Sequence, residues 1–305
     1  MKQNKILKSK RGVAIETAVL FIIIILALCA LITTFPLMQH YQTKIDIILL
    51  KQDIELEQIT DHFLAFLGQT DKDKFEEYVP YIDKNGGALN GKYDYDVAGN
   101  TLAIKSQGGT NTLLFVRAEE GADGFVVASS KSKPSEEDVE LGQITAVFLA
   151  CLENDRTDFD NYLKEFYQGE DKIPEFYKNY KTERYGYSLL VKNENDALLF
   201  VRTGIITAED GSQKIVLTDV QNLPSEAFIK EQQNIVDLVD LYRAGVKNEN
   251  IMEILKSACP DYGYEPGNAP YSLEVKSDGD TILYIELDGT GNITKLLYSD
   301  TQATD

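Results

Sequence analysis

The chain has 305 residues, and its 49 acidic residues against 30 basic ones give a net charge of −19 at pH 7. A surface of this sign repels phosphate backbones, which argues against nucleic acid as a partner and favours a soluble outer domain. Two histidines and three cysteines are too few for a metal cluster of His and Cys ligands or for a disulfide-built fold.

The first 38 residues predict a membrane anchor. Residues 1–12 form a basic leader, and no charged side chain interrupts the run from Thr17 to Phe35. This run approaches the roughly 20 apolar residues that cross a bilayer, so a transmembrane helix is expected over 13–38. The positive-inside rule places the leader in the cytoplasm and the rest outside, at the cell surface. A cleaved secretory signal is the alternative, but its apolar region spans only about 7–15 residues.

Within this anchor, the leader, Gly12, Glu16 and the long apolar helix resemble the N-terminus of bacterial type IV pilins, pseudopilins and TadE-like proteins. The resemblance implies that a prepilin peptidase cuts after Gly12 and makes Val13 the first mature residue. It also implies that Glu16 pairs with the N-terminal amine of another pilin-like subunit and that Pro36 kinks the helix. Glu16 is fourth from Val13, whereas the family places its glutamate fifth, so an uncleaved signal anchor is the other reading.

A stalk helix is expected to follow the anchor. No glycine or proline occurs between Leu37 and Leu67, and apolar residues recur there at steps of three and four. The stripe consists of Ile45, Ile48, Leu49, Leu56, Ile59, Phe63, Phe66 and Leu67. Anchor, stalk and the opening helix of the first domain are therefore predicted to be one continuous element.

Internal similarity divides the rest of the chain into three tandem units, at 39–133 (with the stalk), 134–222 and 223–305. Each unit has a short helical quartet of apolar residues, which begins at Phe75, Phe159 or Ile251. Each then has a hairpin: LAIK and LLFVR from Leu102, LLVK and LLFVR from Leu189, LEVK and ILYIE from Leu273. A third strand follows around Phe125, Ile215 and Ile293. The predicted fold class is α+β, with the helices of each unit packed on a three-stranded antiparallel sheet.

No catalytic, cofactor or metal site is predicted. His40 and His62 have no evident catalytic partner, and nucleophile-elbow, P-loop and Rossmann signatures are absent from the sequence. Cys151 falls on the apolar face of a predicted helix, where a buried free thiol is expected. The sequence from Asp288 to Asn292 is interpreted as a hairpin turn rather than a calcium loop, because the closing glutamate is missing.

The expected function is therefore structural and not enzymatic. The chain is predicted to be a single-pass membrane protein that assembles as a homo- or hetero-oligomer through its N-terminal helix. The alternative is a cell-surface binding or sensing module that uses the α+β repeats. The hairpin from Tyr271 to Leu297 faintly resembles PepSY-type modules, and that resemblance favours the alternative.

Overall fold

A computed structural model describes residues 42–69, 75, 91–121, 124–194, 196–208 and 211–298. The chain divides into two compact units, Met1–Phe63 and Leu64–Asp305. The predicted transmembrane helix at 13–38 lies outside the described residues. Within the described part of the chain, no helix combines the length and the apolarity needed to cross a bilayer.

Twelve described strands form two antiparallel sheets. The first sheet has the order β1-β2-β3-β4, with β1 Tyr93–Ala98, β2 Thr101–Ser106, β3 Thr112–Gly121 and β4 Gly124–Ser132. The second sheet has eight strands in the order β5-β6-β7-β12-β11-β10-β9, and β8 pairs with β7. Its strands are β5 Lys181–Tyr185, β6 Ser188–Lys192, β7 Ala197–Thr207, β8 Gln213–Asn222, β9 Gly263–Pro266, β10 Ser272–Ser277, β11 Asp280–Leu287 and β12 Ile293–Tyr298.

The predicted fold class is therefore wrong. The molecule is mostly β, and its sheets have four and eight strands rather than three units of three strands. Each predicted hairpin is preceded by a further strand, β1, β5 or β9, which the apolar pattern did not reveal because these strands are rich in polar residues. The last two sets of strands then merge, since Leu296 in β12 pairs with Ile205 in β7.

Each of the three additional strands forms an equivalent ion pair with its neighbouring strand. Lys105, Lys192 and Lys276 hold equivalent positions in β2, β6 and β10, and each lies diagonally opposite an acidic residue of the preceding strand. The Nζ–carboxylate distances are 4.0 Å to Asp96, 2.7 Å to Glu183 and 2.6 Å to Glu265. An acidic residue nine positions before the lysine is thus a sequence signal for β1 and β5 that the apolar pattern does not contain.

Five α-helices and two short 3-10 helices are described. The α-helices are α1 at 42–67, α2 Glu136–Glu153, α3 Phe159–Phe166, α4 Glu226–Gly245 and α5 Ile251–Ala258; the 3-10 helices are Glu170–Lys172 and Glu175–Asn179. Both long helices after α1 start at a Pro-Ser-Glu sequence. Ser135 accepts a hydrogen bond from the Asp138 N–H, and Ser225 accepts one from the Phe228 N–H. These caps satisfy amides that have no partner inside the helix.

Helix α2 is buried on more than one face. Ile144, Val147 and Phe148 lie in a core with Leu189 and Val201 of the second sheet. Ten of its 18 residues are buried, as is typical of a helix enclosed on several sides. A second core joins α4 to β10 and β11.

On its other side, α2 approaches the first sheet through two small residues, Gly142 and Ala146. A Cβ added at Gly142 would overlap the Phe115 ring, and a Cβ added at Gly99 would lie 3.5 Å from the Ala146 carbonyl oxygen. Gly99 also has a φ of 57°, which favours glycine. Gly142 and Ala146 therefore allow the backbone of α2 to come close to β1 and β3.

Candidate interaction surface

The first described turns of α1 expose six large aliphatic side chains. Their exposed fractions lie between 46% and 66%, whereas Ile59 and Phe63 later in the same helix are fully buried. The six residues are Ile45, Ile47, Ile48, Leu49, Leu50 and Ile54. Contiguous apolar surface of this kind marks a place where a soluble protein contacts a partner or a membrane.

The exposed residues form two faces on opposite sides of the helix. Face 1 consists of Ile45, Ile48 and Leu49, and it continues the predicted stripe towards the buried part of α1. Face 2 consists of Ile47, Leu50 and Ile54, spaced i, i+3 and i+7. At 3.6 residues per turn, face 2 lies roughly half a turn away from face 1. The apolar stripe predicted from the sequence contains face 1 only.

Charged residues of opposite sign separate the two faces. Lys44 and Lys51 lie on one edge of the helix and Asp46 and Asp53 on the other, each pair spaced by seven residues, or about two turns. All four side chains are exposed, and none takes part in an ion pair within the portion of the chain that the structure describes. Segment 42–54 therefore has no net charge, although the chain as a whole is strongly acidic.

A small hollow of about 200 Å³ lies beside the start of α3. Arg156 donates to Glu165 across it at 2.9 Å, and the Asp158 carboxylate caps α3 by accepting from the Asn161 N–H. The polar groups of the hollow thus stabilise the loop and the helix start.

Arg202, the last residue of the LLFVR sequence, lies within β7 of the second sheet and is largely enclosed. Its side chain is 12% exposed, and the guanidinium lies 5.5 Å from the Phe228 ring centre and 4.9 Å from that of Tyr298. Asp219 is 4.0 Å away, and Nε has no hydrogen-bond partner. Burial raises the pKa of Tyr298 to about 12. This arrangement fastens β7 to α4 and β12 and is structural.

The turn from Asp288 to Asn292 is built by its own hydrogen bonds. The Asp288 carboxylate accepts bonds from the amides of Thr290 and Asn292 and from their side chains. These bonds, that from the Thr290 hydroxyl above all, hold the pKa of Asp288 well below its usual value. No group of three or more metal-binding side chains is found among the described residues.

Cys151 and Cys259 are free thiols. Cys151 lies in the core around α2, where burial raises the pKa of its thiol, and Cys259 is partly exposed. A thiol that is buried and kept protonated is a poor nucleophile, so Cys151 acts as a small core residue.

The site residues expected from the sequence, Gly12, Val13, Glu16 and Pro36, lie outside the described residues. Comparison of the chain with protein-family models, with curated proteins and with solved structures gave no match.

Proposed function

We propose that this chain is a membrane-anchored assembly subunit that packs against other subunits through its N-terminal helix. The supporting observation is the row of exposed aliphatic residues at 45–54, the described part of α1 nearest to the predicted span. The anchor holds the chain in the lipid bilayer, and the β-rich part lies outside the cell.

Fully burying one exposed large aliphatic side chain contributes about 1.5–3 kcal/mol. The six side chains are each about half exposed, so their burial against a partner still favours association. Because they lie on two opposite faces, a single flat contact with a lipid surface leaves half of them in water. Contact with neighbouring helices covers both faces.

In this proposal, the prepilin peptidase releases Val13 as the new N-terminus, and the Glu16 carboxylate pairs with the N-terminal amine of a neighbouring subunit within the membrane. A carboxylate at such a depth is costly without a partner, which ties the function of Glu16 to assembly. The neighbour is another copy of this chain or another pilin-like subunit.

Two measurements on full-length protein in native membranes test the proposal. Mass spectrometry of the N-terminus is expected to return Val13, and amine cross-linking is expected to trap oligomers. Glu16→Ala should reduce these oligomers strongly, whereas Glu57→Ala, which removes an exposed acid on α1, should not. A mature chain that keeps Met1 and stays monomeric after cross-linking would contradict the proposal and favour the surface-binding alternative.

A further inference from the structure

Face 2 and the two charged edges together match the heptad of a coiled coil. With Ile47 at position a, Leu50 falls at position d and Ile54 at the next a. Lys44 and Lys51 then fall at e, while Asp46 and Asp53 fall at g. In coiled coils, a and d form the apolar seam, and oppositely charged e and g residues pair across it.

The residue types at the seam also specify the number of helices. β-Branched residues at a combined with leucine at d favour two parallel strands over three or four. Face 2 has isoleucine at both a positions and leucine at d. These three side chains are 60%, 61% and 48% exposed in the single chain, so the whole seam is open to a partner.

We propose that face 2 is the seam of a parallel two-stranded coiled coil with a second copy of this chain, in which Asp46 of each copy pairs with Lys51 of the other. This inference rests on the proposed function, because it names the partner and the register of the same helix. The pairing joins g of one heptad to e of the next, five residues further on.

The charges decide which faces can meet. Two helices anchored in one membrane run parallel. If face 2 meets face 2, the two-fold axis brings the aspartate edge of each helix beside the lysine edge of the other. If face 2 meets face 1, lysines lie beside lysines and aspartates beside aspartates, which is unfavourable. Of the two contacts between like faces, only that of face 2 places the lysines at e and the aspartates at g, so face 2 forms the isologous dimer.

The seam is short and has defined ends. Thr43 occupies the d position before Ile47, and the exposed Glu57 and Asp61 occupy the d and a positions after Ile54. A coiled coil of this length would be marginal as a free peptide. Anchoring both chains in one membrane raises their effective concentration, so a short seam suffices.

Disulfide cross-linking in native membranes tests the seam. The full-length chain is used with Cys29→Ala and Cys259→Ser, which leaves only the buried Cys151. Leu50→Cys is compared with Leu49→Cys, and Ile47→Cys with Ile48→Cys, so that each pair differs in face but hardly in residue type or exposure. Oxidation is expected to cross-link the Leu50 and Ile47 variants roughly tenfold faster than their controls, as the seam geometry requires. Equal rates, or faster rates for the face 1 variants, would overturn the proposal.

A charge exchange tests the register. Asp46→Lys and Lys51→Asp are each introduced into the Leu50→Cys chain, and each alone should lower cross-linking roughly tenfold because two attractive pairs become repulsive. Co-expression of the two variants, carrying different tags, should restore cross-linking between them. Restored cross-linking between the two variants would show that each variant still folds.

Oligomers that persist unchanged in both variants would overturn the coiled coil and leave the assembly function in place. Chains that are monomeric in every background would overturn both.

Discussion

Gly204 in β7 lies against Leu296 in β12, and a Cβ added at Gly204 would stand 2.6 Å from the Leu296 carbonyl oxygen. This is the point at which the second and third sets of strands join, since Leu296 and Ile205 form the described pair between them. The equivalent position in the first sheet is Glu119, two residues after the arginine of the LLFVR sequence, and it is exposed. Glycine at 204 is therefore what permits an eight-stranded sheet.

Gly204→Val is expected to destabilise the protein by about 2–4 kcal/mol, because the new side chain meets backbone and the Thr218 methyl rather than open space. Urea unfolding followed by circular dichroism measures the change. The control is Glu119→Val at the equivalent, exposed position, which should change stability by less than about 1 kcal/mol. Similar losses for the two variants would show that β12 does not approach β7 this closely.

Gly142 and Phe115 make a second testable close contact. Helix propensity alone would make Gly142→Ala stabilising by about 1 kcal/mol. The added Cβ overlaps the Phe115 ring, however, so a net loss of about 1–2 kcal/mol is expected. When Phe115→Leu has already removed the ring, adding Gly142→Ala should cost much less stability than it does in the unmodified chain. The double-mutant cycle in urea measures this coupling, and additive effects would contradict the contact.

The packing of Arg202 between two rings predicts that lysine cannot replace it. Arg202→Lys keeps the charge but loses the planar group that lies over Phe228 and Tyr298, and a loss of about 1–2 kcal/mol is expected. Arg117→Lys is the matched control, since the same sequence LLFVR places it in the first sheet, with Glu119 at 3.8 Å. It should cost less than about 1 kcal/mol in thermal or urea unfolding. Equal losses would show that the rings do not contribute.

Buried tyrosines predict loss of stability at alkaline pH. Burial raises the pKa of Tyr242 to about 12, and this side chain is 4% exposed. An unfolded tyrosine titrates near pH 10, so the unfolded state releases its proton first. The contribution of buried Tyr242 to the free energy of unfolding is complete below about pH 10. About 2–3 kcal/mol of it is lost as the pH rises to about 12.

Tyr242→Phe removes this ionisation and should make the free energy of unfolding less dependent on pH between about 10 and 12. Urea unfolding at several pH values measures the slope, and tyrosinate absorbance reports the titration. Tyr271→Phe, at an exposed side chain, is the control and should leave the slope unchanged. A Tyr242 variant with the slope of the unmodified chain would refute the assignment.

Local sequence determined much of this molecule. Helices α3 and α5 begin at Phe159 and Ile251, where the spacing of apolar residues placed them, and the hairpins lie where the repeated strand pairs indicated. Face 1 of α1 was also visible as part of the stripe. These features depend on residues close together along the chain, so propensity and periodicity suffice to locate them.

The tertiary structure alone decided the rest. Strands β1, β5 and β9 carry no apolar run, and their place is set by their pairing with β2, β6 and β10. The joining of two strand sets at Gly204, and the burial of α2 on several faces, depend on contacts between residues far apart in sequence. Face 2 has a spacing that the sequence contains, but only the structure shows that Ile47, Leu50 and Ile54 are exposed.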